Sequence, residues 1–395
     1  MNSRRALLTR GTWPDSIVNS FGSTSPAVGF THDFYRYPAR FSPEFVRSAI
    51  NELTWPGDVV FDPFMGAGTT AVEALAAGRK FIGCDLNPLA TFVATVKTTP
   101  LSSRDVNAVR NWGNTLRDKV NLHTGSSTEY HGYSYNLPWT LRKTFELALD
   151  TIATLRSKKQ QAFARCTLLR AGQWALDCRS SVPSVAEFFE KHDRLLELMM
   201  LGLGQFESAA NQSFSRTPEI LQSREILTAS AETVDMHFRK SAPHLILTSP
   251  PYLGVHILYH RWQVRGRRET PAPFWLAGCN DGHGASYYTF ASRTKQPTQY
   301  LDRLSACLDS IKKLMSPETL LLQVVAFSNA KEHLPLYLER AENAGLVECS
   351  SCRPERIVPN RKWYADIKGV FSATREILLV HKKKNSPRRR THAGI

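Results

Sequence analysis

Asp58-Val-Val-Phe-Asp62-Pro-Phe-Met-Gly66-Ala-Gly68-Thr69 holds a strand, a turn and the start of a helix in twelve residues. Asp58 to Asp62 is a short apolar run closed by an acid, the pattern of a strand buried in a parallel sheet. Pro63 to Gly68 supplies the turn. Thr69 to Ala77 has helical spacing and is closed by Gly78, a residue that tolerates the left-handed backbone of a helix end. Arg79-Lys-Phe-Ile-Gly-Cys-Asp85 repeats the apolar-run-then-acid pattern. Strand, glycine turn, helix, strand, acid opens a doubly wound α/β fold.

Outward from this unit, Ser42-Pro-Glu-Phe-Val predicts a helix start, with Ser42 as cap and Pro43 in the first turn. Between about residues 100 and 222 the apolar spacing becomes helical, notably over Leu141 to Arg156, Gln160 to Cys178 and Val185 to Phe206. The α/β pattern returns near Ile226. His244-Leu-Ile-Leu-Thr248 is a strand carrying Ser249-Pro-Pro-Tyr252 at its carboxyl end. Residues 253–298, rich in Arg, Gly, Pro and aromatics, predict a long loop region of the kind that often carries function. A helix over Tyr300 to Met315, a strand over Leu320 to Phe327 and a helix over Leu334 to Ala344 follow. Val347 to Val358 and Arg375 to His381 read as two closing strands. The chain thus divides into an N-terminal arm (1–30), a first α/β half (31–99), a helical insertion (100–222), a second α/β half (223–381) and a basic tail (382–395).

The 395 residues carry 50 Lys and Arg against 35 Asp and Glu, a net charge of +15 that favours a polyanionic partner. Arg261-Trp-Gln-Val-Arg265-Gly-Arg267-Arg268 concentrates four of the cations around a tryptophan, and Lys382–Lys384 and Arg388–Arg390 form a second cluster. No apolar run approaches the eighteen residues of a membrane span. The first residues lack a signal-peptide core, so a cytoplasmic protein is expected. The seven scattered cysteines are no disulfide framework. Cys349 and Cys352 form a lone CxxC within a predicted strand, and no metal site is expected from it.

Two motifs carry chemistry. In Phe61 to Thr69, Gly66 and Gly68 let the backbone approach a ligand at a strand-to-helix turn. The spacing also resembles a dinucleotide fingerprint, but Asp62 stands just before the turn. A carboxylate there suits a cationic amino-acid tail better than a pyrophosphate, which needs open amides. Asp85 at the next strand end is placed to accept from ribose hydroxyls. In Thr248-Ser-Pro-Pro-Tyr252, two prolines fix φ and remove two donors, leaving rigid carbonyl acceptors. An aryl amine is a poor nucleophile because its lone pair is delocalised into the ring. Acceptors for both amino hydrogens, here the Ser249 hydroxyl and the Pro250 carbonyl, draw the nitrogen towards tetrahedral geometry and free the lone pair. Pro251 stiffens the turn, and Tyr252 is placed to stack on a base.

These residues resemble the DNA amino-methyltransferase family, which modifies cytosine-N4 or adenine-N6. Asp62-Pro63-Phe64-Met-Gly66-Ala-Gly68-Thr69 looks like the family's cofactor motif, and Thr-Ser-Pro-Pro-Tyr252 like its catalytic tetrapeptide. His32-Asp-Phe-Tyr-Arg-Tyr-Pro-Ala-Arg-Phe-Ser-Pro43 resembles the flanking motif, although Tyr37 stands where histidine is common. Pro38, Ala39 and Phe41 carry over as walls of the methionine pocket. Ser230 occupies the place of a residue near the adenine, where an acid is frequent. The resemblance covers about residues 30–90 and 225–381. It implies S-adenosylmethionine as cofactor and a Rossmann-like methyltransferase sheet of seven strands, the last antiparallel, with a helical insertion.

Serine before Pro-Pro-Tyr leans the family resemblance to cytosine-N4 over adenine-N6. Carbon-5 chemistry needs a thiolate, usually in a Pro-Cys pair, and none of the cysteines follows a proline. The expected substrate is double-stranded DNA with one base flipped into the pocket. Arg261, Arg265, Arg267 and Arg268 would follow its backbone, His256 and Tyr259 would help to shape the pocket, and a cognate restriction endonuclease would share the site. An RNA or tRNA amino-methyltransferase and a catalytically dead DNA-binding module remain open alternatives. A nicotinamide oxidoreductase would have no use for the Pro-Pro-Tyr turn.

Overall fold

The computed structural model describes residues 8, 11–23, 28–36, 41–127, 132–238, 242–253, 261–265, 268–281, 297–358 and 374–384. Helices α1 (Asp15–Gly22) and α2 (Pro43–Leu53) precede β1 (Val59–Asp62), α3 (Thr69–Ala76), β2 (Lys80–Asp85) and α4 (Pro88–Lys97). A helical block follows: α5 (Ser103–Lys119), α6 (Trp139–Ile152), α7 (Lys158–Leu176), α8 (Val185–Ala210) and α9 (Thr217–Gln222). The chain returns to the sheet through β3 (Arg224–Thr228), α10 (Val234–His237) and β4 (Leu245–Thr248). A hairpin of β5 (Trp262–Val264) and β6 (Arg268–Thr270) leads into α11 (Ala272–Ala277) and α12 (Thr298–Leu314). The last elements are β7 (Leu320–Ala326), α13 (Ala330–Asn343), β8 (Leu346–Glu348), β9 (Glu355–Val358) and β10 (Thr374–Lys383).

The main sheet runs β3-β2-β1-β4-β7-β10-β8, with β9 also paired to β10. The β3-β2-β1-β4-β7 run is parallel, and β10 is antiparallel to its neighbours. The order reverses between β1 and β4, which makes the carboxyl ends of those two strands the switch point where an open α/β sheet binds ligands. Alternate residues face opposite layers. Val60, Leu245, Leu247, Leu322 and Val324 pack in the cluster that contains the helical block, while Phe61, Ile246, Leu321 and Val325 pack with residues of α12 and α13. Both faces being covered explains why β1 and β4 are buried throughout.

The helical block is fixed at its starts by sequence. Ser102 with Asp105, Ser157 with Gln160 and Ser184 with Glu187 each form a reciprocal capping box at α5, α7 and α8. The block docks on the sheet layer through α3 and α4.

Four sequence expectations change. The N-terminal arm (1–30) is no arm over its described residues: Ile17 and Phe21, four apart on α1, are buried, and Phe21 meets Phe45 at 5.3 Å. The long loop expected over 253–298 holds the β5–β6 hairpin and α11, whose residues Ala272–Ala277 are all buried. The first closing strand is split, raising the expected seven strands to eight in the main sheet among the described residues. Three residues of β10 (378–380) face six (349–354) between the β8 and β9 pairings, so the excess bulges out. Trp13 Nε1 donates to Cys352 O at 2.7 Å in that bulge, which puts the CxxC in a bulge and not in a strand. Finally, β10 runs two residues into the expected tail (382–395), as Lys382 and Lys383 pair with Val347 and Leu346.

Candidate active site

Two strand tips are built alike. Asp62 ends β1 and accepts from Phe64 N at 3.1 Å; Asp85 ends β2 and accepts from Asn87 N at 2.8 Å. Each is an Asx turn, in which a side chain two residues back replaces a backbone acceptor and bends the chain away from the strand. Asn87 then caps α4 by accepting from Leu89 N at 3.0 Å, with Pro88 in the first turn. The second oxygen of Asp85 accepts from Gly66 N at 2.9 Å, which ties the glycine turn to the β2 tip. Gly66 and Gly68 have φ of +53° and +77°, a backbone that side chains disfavour. A Cβ at Gly68 would lie 2.7 Å from that of Ala94, so glycine is also what lets the turn press on α4.

The Ser249–Tyr252 turn joins this corner directly. β1 pairs with β4, Phe61 opposite Ile246. One step further, Thr248 Oγ1 donates to Asp62 Oδ1 at 2.7 Å, while Thr70 Oγ1 donates to Asp62 Oδ2 at 2.7 Å. Asp62 is therefore a clamp between β1, α3 and the start of Ser249–Tyr252. That differs from the expected open acceptor for an ammonium group, because Asp62 is only 1% exposed and its bonds from Thr248, Thr70 and Phe64 N tie it to the protein itself.

Burial pushes the carboxyls of Asp62 and Asp85 up, each to about 6. Hydrogen bonds from Thr248, Thr70 and Phe64 N pull the first back, and those from Asn87 N and Gly66 N the second. A carboxyl whose folded pKa exceeds its unfolded value binds its proton more tightly when folded. Its contribution to stability is thus greatest below about 4 and declines as pH rises through about 6.

The turn itself is held from behind. Tyr300 Oη donates to Pro251 O at 2.7 Å. Tyr252 Oη donates to Glu376 Oε1 at 2.9 Å, and Arg356 Nε donates to Glu376 Oε2 at 2.6 Å. Arg356 lies 4.7 Å over the Phe21 ring and donates to Phe21 O, linking the Ser249–Tyr252 turn to α1. Tyr252 is 9% exposed, so its hydroxyl end is anchored in the protein and only a limited part of the ring faces outward.

Other expected site residues divide. Phe64, Gly66, Asp85 and Ser249 are partly exposed at the strand tips, whereas Pro63 and Thr69 are buried supports of the turn. Ser230 Oγ accepts from Glu232 N and caps the short helix Ala231–Thr233. Phe41 packs on Phe45 at 5.9 Å between ring centroids. Pro38 and Ala39 lie outside the described residues, as do Arg267, His256 and Tyr259. Arg265 and Arg268 are exposed on the hairpin. Arg261 departs from expectation: it pairs with Asp281 at 2.7 Å, with side chains 11% and 3% exposed, and donates to Tyr135 of the helical block. It joins the hairpin to that block.

Thr70, Thr248, Tyr300, Arg356 and Glu376 were not singled out in the sequence. Thr248 alone had a signal there, as the hydroxyl residue entering Ser-Pro-Pro-Tyr. Thr70 stands one residue past the glycine motif, and Tyr300, Arg356 and Glu376 reach the site from elements distant in sequence.

With this geometry in place, the chain was compared with known proteins. Residues 5–93 match the family model N6_N4_Mtase, described as DNA methylase. This region is similar to the DNA amino-methyltransferase family. The Type II methyltransferase M.MvaI of Kocuria varians is 34% identical over 158 residues, covering 36% of this chain and 33% of that one. The Type II methyltransferase M.MjaII of Methanocaldococcus jannaschii is 36% identical over 66 residues, 17% of this chain and 12% of that one. The DNA adenine methyltransferase YhdJ of Escherichia coli is 40% identical over 63 residues, 16% and 21% respectively. The matched stretches span a third or less of these relatives.

The cofactor of the family is S-adenosylmethionine, and the residues present fit it. Asp85 is a partly exposed carboxylate at the β2 tip, and each of its oxygens retains a lone pair beyond the amide it accepts, which suits the two hydroxyls of a ribose. The Asp62 clamp places the Ser249 turn beside the glycine turn. No helix among the described residues is long and apolar enough to cross a membrane.

Proposed function

We propose that the protein transfers a methyl group from S-adenosylmethionine to the exocyclic amino group of a base in double-stranded DNA, cytosine-N4 in preference to adenine-N6. The observation that carries this is the Thr248–Asp62 hydrogen bond, which fastens the amine-accepting turn to the cofactor corner. The serine of Ser249-Pro-Pro-Tyr252 supports cytosine. YhdJ, named an adenine enzyme, and the Type II enzymes both share stretches with this chain, so the relatives support the amino-methyltransferase class as a whole.

When bound, S-adenosylmethionine supplies an electrophilic methyl carbon. Phe64, Gly66 and Asp85 would hold it at the tips of β1 and β2. The base must leave the duplex to reach this corner, at a cost of a few kcal/mol. Stacking on the outward part of Tyr252 offsets about 1–3 kcal/mol of that. Ser249 Oγ and the Pro250 carbonyl accept the two amino hydrogens, which localises the lone pair on nitrogen. Tyr300 and Glu376 keep these acceptors from drifting. Methylation makes the amine acidic, and its surplus proton passes to solvent. A cognate restriction endonuclease and a cytoplasmic location complete the proposal.

Mass spectrometry of nucleosides from DNA of cells expressing the protein tests base and position together. N4-methylcytosine is expected from the wild type. Ser249→Ala is expected to lower the single-turnover rate on the order of 10²-fold, as loss of an oriented polar contact to the reacting group does, while cofactor affinity holds. N6-methyladenine alone would reverse the base preference, and label appearing only in RNA would remove the DNA assignment.

A further inference from the structure

With Arg261 turned inward, the cations facing solvent near the hairpin belong mostly to the helical block. Arg36, Arg179, Lys191 and Arg194 gather around the buried Arg170, where α7 and α8 meet the segment ending at Arg36. Gln173 pins the Arg36 backbone, its Oε1 accepting from Arg36 N at 3.0 Å and its Nε2 donating to Arg36 O at 2.9 Å. Arg170 Nε donates to Asp33 O at 3.0 Å. Arg179 and Lys191 both lie over the Trp174 ring, 4.8 and 5.7 Å from its centroid. Arg179 also bridges Val264 in the hairpin, next to exposed Arg265 at the hairpin turn. One basic surface therefore runs from Arg265 through Arg179 and Trp174 to Lys191, Arg36 and Arg194.

The surface is short of counter-ions. Among the described residues, Arg36, Arg179, Lys191 and Arg194 form no ion pair. Glu187, the acid that Arg179 influences, is engaged in its own capping box with Ser184. Burial, and then Arg170, Arg194 and Arg36, hold the Lys191 ammonium below its usual range, as expected of cations crowded without an anion.

We infer that this surface is a phosphate track that binds the backbone of duplex DNA. The inference rests on the DNA reading above and adds the contact surface to it. Duplex is favoured over single strands because proteins that grip single strands present open aromatic faces to the bases. Here the Trp174 ring is occupied by two cations, and it serves to hold their side chains extended. Cations fixed in this way position a duplex without reading its sequence.

Lys191→Gln/Arg194→Gln in the full chain tests this, with a labelled random-sequence duplex titrated at several salt concentrations. Each phosphate contact contributes about 0.9 to the slope of log affinity against log salt. The double variant is expected to lose about two units of slope and roughly tenfold in affinity per contact at low salt. Cofactor binding by calorimetry should be unchanged, and Lys191→Arg/Arg194→Lys should restore the slope. Arg110→Gln, which removes an exposed pair with Glu197 elsewhere on the block, should leave the slope alone. A wild-type slope in the double variant overturns the track while leaving the DNA reading intact. A wild type with no salt-dependent affinity for duplex overturns both. Tighter binding of single-stranded RNA than of duplex, lost in the double variant, overturns the duplex assignment.

Discussion

The strand tips and the helical face treat charge in opposite ways. At the tips, Asp62 is buried and holds three partners from β4, α3 and its own turn, and Asp85 holds two backbone amides. On the helical face, four cations stand without ion pairs among the described residues. Interior charge here fixes geometry, because an unpaired buried carboxylate would be costly. Surface charge left uncompensated costs little in water and stays available to a polyanion. The hairpin joins the two regimes, since Arg261 belongs to the first and Arg265, four residues on, to the second.

That boundary can be broken most directly at those two arginines. Arg261→Ala strands Asp281, which is 3% exposed, and breaking a buried pair in this way costs about 3–5 kcal/mol. Arg265→Ala, at an exposed turn, should stay within about 0.5 kcal/mol. Denaturant unfolding of the two variants measures the difference; equal midpoints would erase the distinction between structural and free arginines.

The tips should also respond to pH in a way the helical face does not. A carboxylate that accepts from ribose hydroxyls must be ionised, and burial has pushed Asp85 up to about 6. Cofactor affinity is therefore expected to be flat above about pH 7 and to fall about tenfold per unit below about 6. In Asp85→Asn affinity should be lower throughout and lose this dependence. Calorimetric titration between pH 5 and pH 8 reads both, and a wild-type profile flat across that range would contradict the role given to Asp85.

The smallest effect sharpens how the Ser249–Tyr252 turn is held. Tyr252→Phe removes one hydrogen bond to a carboxylate that keeps its bonds from Arg356, so a cost of about 1–2 kcal/mol is expected. If the bond positions the ring for a base, KM for DNA should rise with little change in cofactor affinity. Arg356→Met should act in the same direction through Glu376, and a double-mutant cycle should show the two effects to be coupled.

Much of this was legible in local sequence. The runs ending in Asp62 and Asp85 gave their strands because a parallel sheet covered on both faces demands unbroken apolar residues. The glycine turn was readable because only glycine takes the φ of positions 66 and 68 at little strain. The β5–β6 hairpin was not, because Arg and Gly obscured Trp262 and Val264, whose burial depends on α7: the Trp262 ring fills the space a Cβ at Gly172 would need. The split edge strand was hidden too, since the excess of residues over 349–354 exists only relative to β10.

By itself the sequence determined the strand–turn–helix corner, the capped helices and the two chemical motifs, because each depends on backbone preferences within a few residues. Tertiary structure alone decided that Asp62 clasps Thr248, that Glu376 anchors Tyr252, and which arginines face water. Those outcomes follow from side chains on different elements competing for the same buried donors and acceptors, a contest that is resolved only once the fold has brought them within reach.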